Sequence, residues 1–184
     1  MVVEIKKGCE LSDSEIKFMV DARLREYGEN DKDFRNGERQ SVFFFVKEAG
    51  EVVSFGMLKP VRISYRGRVY DILGIGNIMS VVKGKGYGRI LIGEMIGYLK
   101  RKRKTGLGFC GEDKELFYEK SGLNVVGKFS QRFALRNPWN GKLLFDGENC
   151  VAIYFEGKDG LISKMLKNKG VGTYWIAGMM DPHW

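Results

Sequence analysis

The feature that most constrains the fold is a strand, a glycine-rich turn and a helix that follow one another over residues 71–99. An apolar, β-branched run at 72–82 is typical of a buried strand. Apolar residues then recur every three or four positions over 92–99, which predicts a helix with one buried face. The turn between them, K-G-K-G-Y-G-R at 83–89, carries three glycines and three cations. This strand–turn–helix unit should lie at the centre of the fold.

The chemistry of the turn predicts an anion site. Gly84, Gly86 and Gly88 have no Cβ, so the backbone can adopt positive φ and come close to a ligand. The start of the next helix offers unpaired N–H groups and a partial positive charge, to which the cations of the turn add full charges. Together these features favour a diphosphate. The spacing fits neither a Walker loop, since no Ser or Thr follows a lysine, nor the dinucleotide fingerprint.

A second motif, L-F-Y-E-K-S-G-L at 116–123, stands thirty residues further on. The turn K-x-x-G-x-G at 83–88 resembles the pyrophosphate loop of the GNAT superfamily of acyl-CoA-dependent N-acetyltransferases, with Lys83 where that family has Arg or Gln. The second motif is similar to the F-Y-x-x-x-G-F of the same family. Because the two motifs occur in the right order and on the right elements, the chain is identified as a member of that superfamily over residues 41–135.

The resemblance implies an enzyme that moves an acetyl group from acetyl-CoA to a primary amine of a small molecule by direct attack, without a metal. Tyr118 would be the general acid that protonates the departing thiolate. A carboxylate acting through water could take the amine proton, and Asp71, Glu112, Asp181 and the C-terminus stay open as candidates. The implied cofactor-binding residues are Ile78, Met79, Ser80, Val81, Lys83, Gly84, Lys85, Gly86, Tyr87, Gly88 and Arg89.

The end of the chain gives a narrower resemblance. W-I-A-G at 175–178, followed by M-M-D-P-H-W, is similar to the W-x-A-G-D-x-W ending of the aminoglycoside 2′-N-acetyltransferases. By this match Asp181 and the carboxylate of Trp184 would bind the acceptor. The chain departs from that family because Asn77, and no acid, stands on the strand that enters the glycine turn. An aminoglycoside acceptor, a protein or peptide acceptor, and a non-catalytic CoA-binding regulatory domain therefore remain alternatives.

Composition argues against several other classes of protein. The 184 residues are 43% hydrophobic and carry a net charge of +8, which suits one domain and anionic ligands. Three widely spaced cysteines and a single histidine, His183, argue against disulfides, a zinc site and a histidine-based triad. No run is long enough for a membrane span and no signal peptide is present, so we expect a cytoplasmic protein with no membrane partner. The basic run at 100–104 is either a solvated helix end or an RNA contact, and we do not expect nucleic acid as a partner. The apolar tail is compatible with a homodimer.

The remaining elements complete the predicted fold. A capping box of Ser12 and Glu15 predicts a helix that ends near Gly28. Strands are expected at 41–46, 52–58, 106–110, 129–135 and 150–155, and a helix at 112–121. The sequence thus predicts a GNAT-like α/β (α+β) fold: a mixed, mostly antiparallel sheet of six to seven strands with a central parallel pair, flanked by about four helices. Residues 1–157 would form the acyltransferase domain, and residues 158–184 a tail that packs back on it.

Overall fold

The computed structural model describes residues 1–29, 32–137, 139–145 and 150–175. Within these ranges, ten strands form one mixed sheet. The strands are β1 (Val2–Lys7), β2 (Val42–Glu48), β3 (Glu51–Tyr65), β4 (Arg68–Ser80), β5 (Gly106–Cys110), β6 (Asn124–Val126), β7 (Phe133–Arg136), β8 (Leu143–Phe145), β9 (Val151–Phe155) and β10 (Gly172–Trp175). The α-helices are α1 (Asp13–Tyr27), α2 (Tyr87–Lys102), α3 (Glu115–Lys120) and α4 (Leu161–Lys167).

The first helix begins and ends where the sequence predicts. The Ser12 N–H donates to the Glu15 carboxylate at 2.8 Å, and the Glu15 N–H donates back to the Ser12 hydroxyl at 3.3 Å, which completes a capping box. At the other end Gly28 adopts φ of 77°, a left-handed conformation that costs glycine little, and its N–H donates to the Leu24 carbonyl. Local signals alone therefore define both ends of α1.

The strand order is β6-β9-β5-β4-β3-β10-β7-β8, with β2 on β3 and β1 on β2. Two neighbouring pairs, β4 with β5 and β10 with β7, are parallel, and the other pairs are antiparallel. The predicted fold class is confirmed, including the central parallel pair that the α2 crossover requires. The sheet has more strands than expected because β6, β8 and β10 are only three or four residues long. Runs this short do not show the period of two by which a strand is recognised.

The long strand β3 changes its partner partway along one edge. Residues 51–58 pair with β2, whereas residues 62–64 pair with β10. Pro60 lies between these segments, where β3 pairs, among the described strands, with β4 alone. The sequence predicts that Pro60 ends the strand or forms a bulge; instead the strand continues, since a proline is tolerated where that edge is unpaired.

Helices cover both faces of the sheet. Phe43 and Phe45 pack with α1, whereas Phe44 between them packs with α2, as the alternation of side chains along a strand requires. Helix α2 buries one row of apolar side chains, each of which contributes about 1.5–3 kcal/mol. The row consists of Leu91, Ile92, Met95, Ile96 and Leu99. The spacing of three or four residues that predicts α2 is thus the spacing of the side chains that the helix buries.

Strand β10 is part of the sheet, and helix α4 packs against the same core. Strand β10 lies between β3 and β7. The Arg132 guanidinium donates to the carbonyls of Met165, Asn168 and Gly170 at 2.7–2.9 Å and so satisfies the C-terminal end of α4. The division at residue 157 stays a prediction, and residues 176–184 lie outside the described part of the chain.

Candidate active site

A cleft opens where β4 and β5 separate. The two strands pair only at Leu73 with Gly106 and Gly74 with Leu107. Beyond this point β5 remains paired with β9, and β4 remains paired with β3. A Cβ on Gly108 would lie 2.5 Å from the Ile75 carbonyl oxygen, so only glycine allows the close approach at the apex. We call the opening between residues 76–80 and 109–110 the β4–β5 cleft.

The β4 wall of this cleft contains a β-bulge. Phe55 pairs with Met79 and Met57 with Gly76, so Gly56 alone faces two residues, Asn77 and Ile78. Asn77 adopts φ of 50°, in the left-handed region. In the described part of the chain no strand pairs with the cleft edge of β4 beyond Gly74. The bulge therefore turns the backbone of β4 where its edge is open to a ligand.

The glycine turn follows directly, and its glycines have two different roles. Gly84 and Gly86 adopt φ of 75° and 81°, and a Cβ on either would meet no described residue within 4 Å. Gly88 has no positive φ; a Cβ there would lie 3.0 Å from both the Phe117 ring and the Ser80 hydroxyl. Hence Gly84 and Gly86 are required by backbone conformation, and Gly88 is required by packing.

The backbone amides of the turn are unpaired. Among the described residues, none accepts a hydrogen bond from the N–H groups of residues 83–88. The intrahelical ladder of α2 starts only at Arg89 and Ile90, whose N–H groups donate to the Gly86 carbonyl at 3.0 and 3.2 Å. A row of exposed amides at a helix N-terminus binds anions, and phosphate above all.

The cations of the turn are not equivalent. Lys83 pairs with Glu26 of α1, with Nζ 2.8 Å from Oε1. Lys85 and Arg89 form no ion pair with any residue that the structure describes. Both are exposed and stand on either side of Gly86 and Tyr87. Two full positive charges are thus available beside the unpaired amides.

Tyr118 on α3 is partly buried and packs against the same hydrophobic cluster as Ile78 of β4 and Cys110 at the end of β5. Burial raises the pKa of the Tyr118 hydroxyl, and the neighbouring Cys110 and Tyr27 raise it further. Burial also raises the pKa of the Cys110 thiol to about 11, with smaller contributions from Glu115 and Asp113. The Tyr118 hydroxyl has no hydrogen-bond partner in the described part of the chain. Both groups therefore hold their protons at neutral pH.

Comparison with known proteins identifies the architecture. No family model and no curated protein matches the sequence. Among solved structures, Escherichia coli ElaA is similar with a TM-score of 0.59 at 12% identity, over 84% of this chain and 99% of that one. An acyl-CoA N-acyltransferase from Pseudomonas aeruginosa is similar with a TM-score of 0.56 at 11% identity, over 84% of this chain and 99% of that one. The GNAT family N-acetyltransferase YhbS from Escherichia coli, in complex with CoA, is similar with a TM-score of 0.51 at 13% identity, over 95% of this chain and 88% of that one. The chain has the GNAT fold.

Within this GNAT fold, the predicted cofactor-binding residues form one continuous wall from the bulge to the first turn of α2. Ile78, Met79 and Ser80 end β4, and the Val81 N–H donates to the Val53 carbonyl at 2.9 Å. Tyr87 differs from the others, because its ring is buried and its hydroxyl donates to the Glu48 carboxylate, which raises the Tyr87 pKa. Only its backbone amide is open to a ligand.

The predicted bases lie in different places. Asp71 pairs with Arg62 near the start of β4, about 20 Å along the strand from Asn77. It lines two cavities, of about 490 and 760 Å³, at that end of the strand. Glu112 begins the turn that leads from β5 into α3 and is exposed. Asp181 and Trp184, predicted to bind the acceptor, lie outside the described residues.

The structure adds residues that the sequence did not single out. Cys110 and Tyr118 pack against the same hydrophobic cluster, and Arg23 of α1 donates a hydrogen bond to Asn77. One signal for the bulge was present, since Asn is enriched among residues with positive φ and follows two glycines here. Nothing in the sequence pointed to Arg23, because its partner is 54 residues away.

Among the described residues, no group of three or more His, Cys, Asp or Glu side chains is placed to hold a metal ion. In the same part of the chain, no helix has both the length and the apolar character that a membrane span needs.

Proposed function

We propose that this protein is an N-acetyltransferase that moves an acetyl group from acetyl-CoA to a primary amine of a small molecule by direct attack. The observation that carries the proposal is the row of unpaired amides at 83–88, placed at the open end of the β4–β5 cleft. These amides, the space over Gly84 and Gly86, and the charges of Lys85 and Arg89 fit a diphosphate. The similarity of the fold to N-acyltransferases supports the same assignment.

Acetyl-CoA supplies the acetyl group as a thioester, and the chain binds and orients it. The amides of the glycine turn hold the diphosphate. The open edge of β4 at 78–80 offers backbone groups to the pantetheine arm, and a backbone N–H beside the bulge polarises the thioester carbonyl. The charge that develops on the carbonyl oxygen thus meets a fixed donor.

The transfer forms a C–N bond and breaks a C–S bond; one proton leaves the amine nitrogen and one binds the sulfur. Tyr118 donates the second proton. Burial raises the pKa of the neighbouring Cys110 thiol, and the same desolvation makes a leaving thiolate in this cleft more basic than in water. The same burial raises the pKa of the Tyr118 hydroxyl, which therefore holds its proton until the thiolate develops beside it.

The raised pKa of Cys110 also favours direct attack. A thiol that stays protonated at neutral pH is a poor nucleophile, so an acyl-cysteine intermediate is disfavoured. For the amine proton, Glu115 is the carboxylate that contributes most to the Cys110 pKa. It has no ion-pair partner among the described residues. Glu115 is therefore a candidate, beside Glu112 and Asp181, for the carboxylate that takes the amine proton through water.

The test of cofactor binding is calorimetric titration with acetyl-CoA. Gly86→Val forces a β-branched residue into positive φ at the turn, and we expect it to weaken binding by about 100-fold. Gly50→Val is the matched control, since Gly50 has φ of 89° in the β2–β3 hairpin and equally open surroundings. Equal affinities of the two variants would contradict the diphosphate site.

The test of turnover is release of free CoA thiol in a screen of polyamines, aminoglycosides, amino acids and peptides. We expect release with at least one small primary amine, and none with tertiary amines of the same size. Acetyl-CoA binding without turnover on any amine would contradict the enzyme and favour a regulatory domain.

A further inference from the structure

The bulge residue Asn77 is held by contacts to both ends of its side-chain amide. The Arg23 guanidinium of α1 donates from Nη1 to Asn77 Oδ1 at 2.6 Å. On the other side Asn77 Nδ2 lies 3.3 Å from the Met57 sulfur, to which it donates. Asn77 also adopts φ of 50°, a left-handed conformation that Asn tolerates better than most residues but that still costs more than it would for glycine.

Arg23 is itself held in place on α1. Its guanidinium carbon lies 5.3 Å from the centre of the Tyr27 ring, one helical turn further on. Between the two, Glu26 reaches the glycine turn through its ion pair with Lys83. A single turn of α1 therefore contacts the bulge and the glycine turn, which are the two ends of the cofactor-binding wall of β4.

The bulge sets the direction of the backbone N–H groups at the open edge of β4. One residue is inserted opposite Gly56, so the backbone beyond Asn77 is rotated relative to the regular strand before it. If Asn77 relaxed to negative φ, the N–H groups of the next residues would change direction. The Arg23 contact favours the left-handed conformation of Asn77 because it binds the side chain where that conformation places it.

We propose that Arg23 is a positioning residue: by holding Asn77 in its left-handed conformation, it fixes the direction of the β4 amide that polarises the thioester carbonyl. The inference rests on the proposed function. Arg23 would not touch the substrate, so its effect should appear in the rate of the chemical step and not in the affinity for acetyl-CoA.

The experiment is a double-mutant cycle of Arg23→Ala and Asn77→Gly, with Arg25→Ala as the matched control. Arg25 is exposed on the same helix and donates to the Asp21 carbonyl within that helix. Arg23→Ala should lower kcat at least 10-fold with calorimetric affinity for acetyl-CoA within about twofold, and Arg25→Ala should leave both unchanged. Glycine adopts positive φ without help, so Arg23→Ala should cost less than twofold in the Asn77→Gly background.

Two results would overturn the proposal. An equal loss of kcat from Arg23→Ala in both backgrounds would mean that Arg23 acts independently of Asn77. Backbone amide chemical shifts of residues 77–80 that are unchanged in Arg23→Ala would mean that the bulge does not depend on Arg23. The chemical shifts need no turnover, so they test whether Arg23 holds Asn77 even if the wild-type protein is inactive. Inactivity of the wild-type protein would contradict the proposed function and not this inference.

Discussion

Polar groups near the cleft differ in their pairing from the polar groups of a buried cluster formed by Glu38, Ser41 and Lys59. Glu38, Lys59 and Ser41 are all buried. Glu38 accepts from Lys59 Nζ at 2.7 Å and from the Ser41 hydroxyl at 2.6 Å, so both of its carboxylate oxygens are satisfied. In the cleft, by contrast, the amides of 83–88 and the Tyr118 hydroxyl have no partner among the described residues.

The paired polar groups of the buried cluster contribute to stability, whereas the unpaired polar groups near the cleft are available to a ligand. A buried polar group without a partner costs about 1–3 kcal/mol, so a fold retains such groups only where they are paired. Exposed groups that no protein atom satisfies are bound by water in the free protein, and a ligand can replace that water. Mutations in the buried cluster should therefore change folding, and mutations around the cleft should change binding or rate.

The largest expected effect is in the buried cluster. Glu38→Gln leaves Lys59 as an uncompensated buried charge, and we expect it to lower the free energy of unfolding by about 3–5 kcal/mol. Asp71→Asn, which breaks the exposed pair with Arg62, should cost less than about 1 kcal/mol. Denaturant melts measure both. Similar losses for the two variants would remove the distinction between buried and exposed pairs.

Tyr118→Phe should have the next largest effect, and on rate alone. Removing the proton donor should lower kcat about 100-fold, with melting temperature and acetyl-CoA affinity nearly unchanged. Because burial raises the Tyr118 pKa, the wild-type hydroxyl keeps its proton and kcat should not fall with rising pH up to about pH 10. A normal kcat at the chemical step in the variant would leave Tyr118 with a packing role only.

Cysteine alkylation gives a smaller and independent comparison. With a pKa of about 11, Cys110 should be about 0.1% thiolate at pH 8, against roughly a quarter for an ordinary free cysteine. Iodoacetamide followed by peptide mass spectrometry should therefore label exposed Cys9 well before Cys110. Labelling of Cys110 at the rate of Cys9 would show that the cleft does not desolvate a thiol.

The smallest effect is expected at the ion pair between Glu26 and Lys83. Glu26→Gln frees the lysine to face a bound diphosphate, so affinity for acetyl-CoA should rise two- to threefold at low salt. The gain should disappear at about 0.5 M salt, since exposed charges are screened. Lys17→Gln, which breaks an exposed pair within α1, is the control. A weaker affinity in Glu26→Gln would mean that the pair organises the glycine turn.

The parts of the site that were predictable are those encoded within a few residues. The glycine turn, the start of α2 and the position of Tyr118 could each be located from short motifs, and the structure places them around one cleft. Asn77 was noticed only as a missing acid, although its residue type and the glycines before it carried the signal for a bulge. No short motif marked the burial of Cys110, because desolvation depends on neighbours that are distant in the chain.

The sequence by itself determined the capped first helix, the alternation of Phe43, Phe44 and Phe45 between two faces, and a glycine-rich turn between a strand and a helix. These follow from periods and end signals that act over one to four residues. Only the tertiary structure decided where β4 loses its partner, which side chain holds Asn77, and which polar groups are paired. Each of those depends on contacts between residues far apart in the chain, and no local pattern records them.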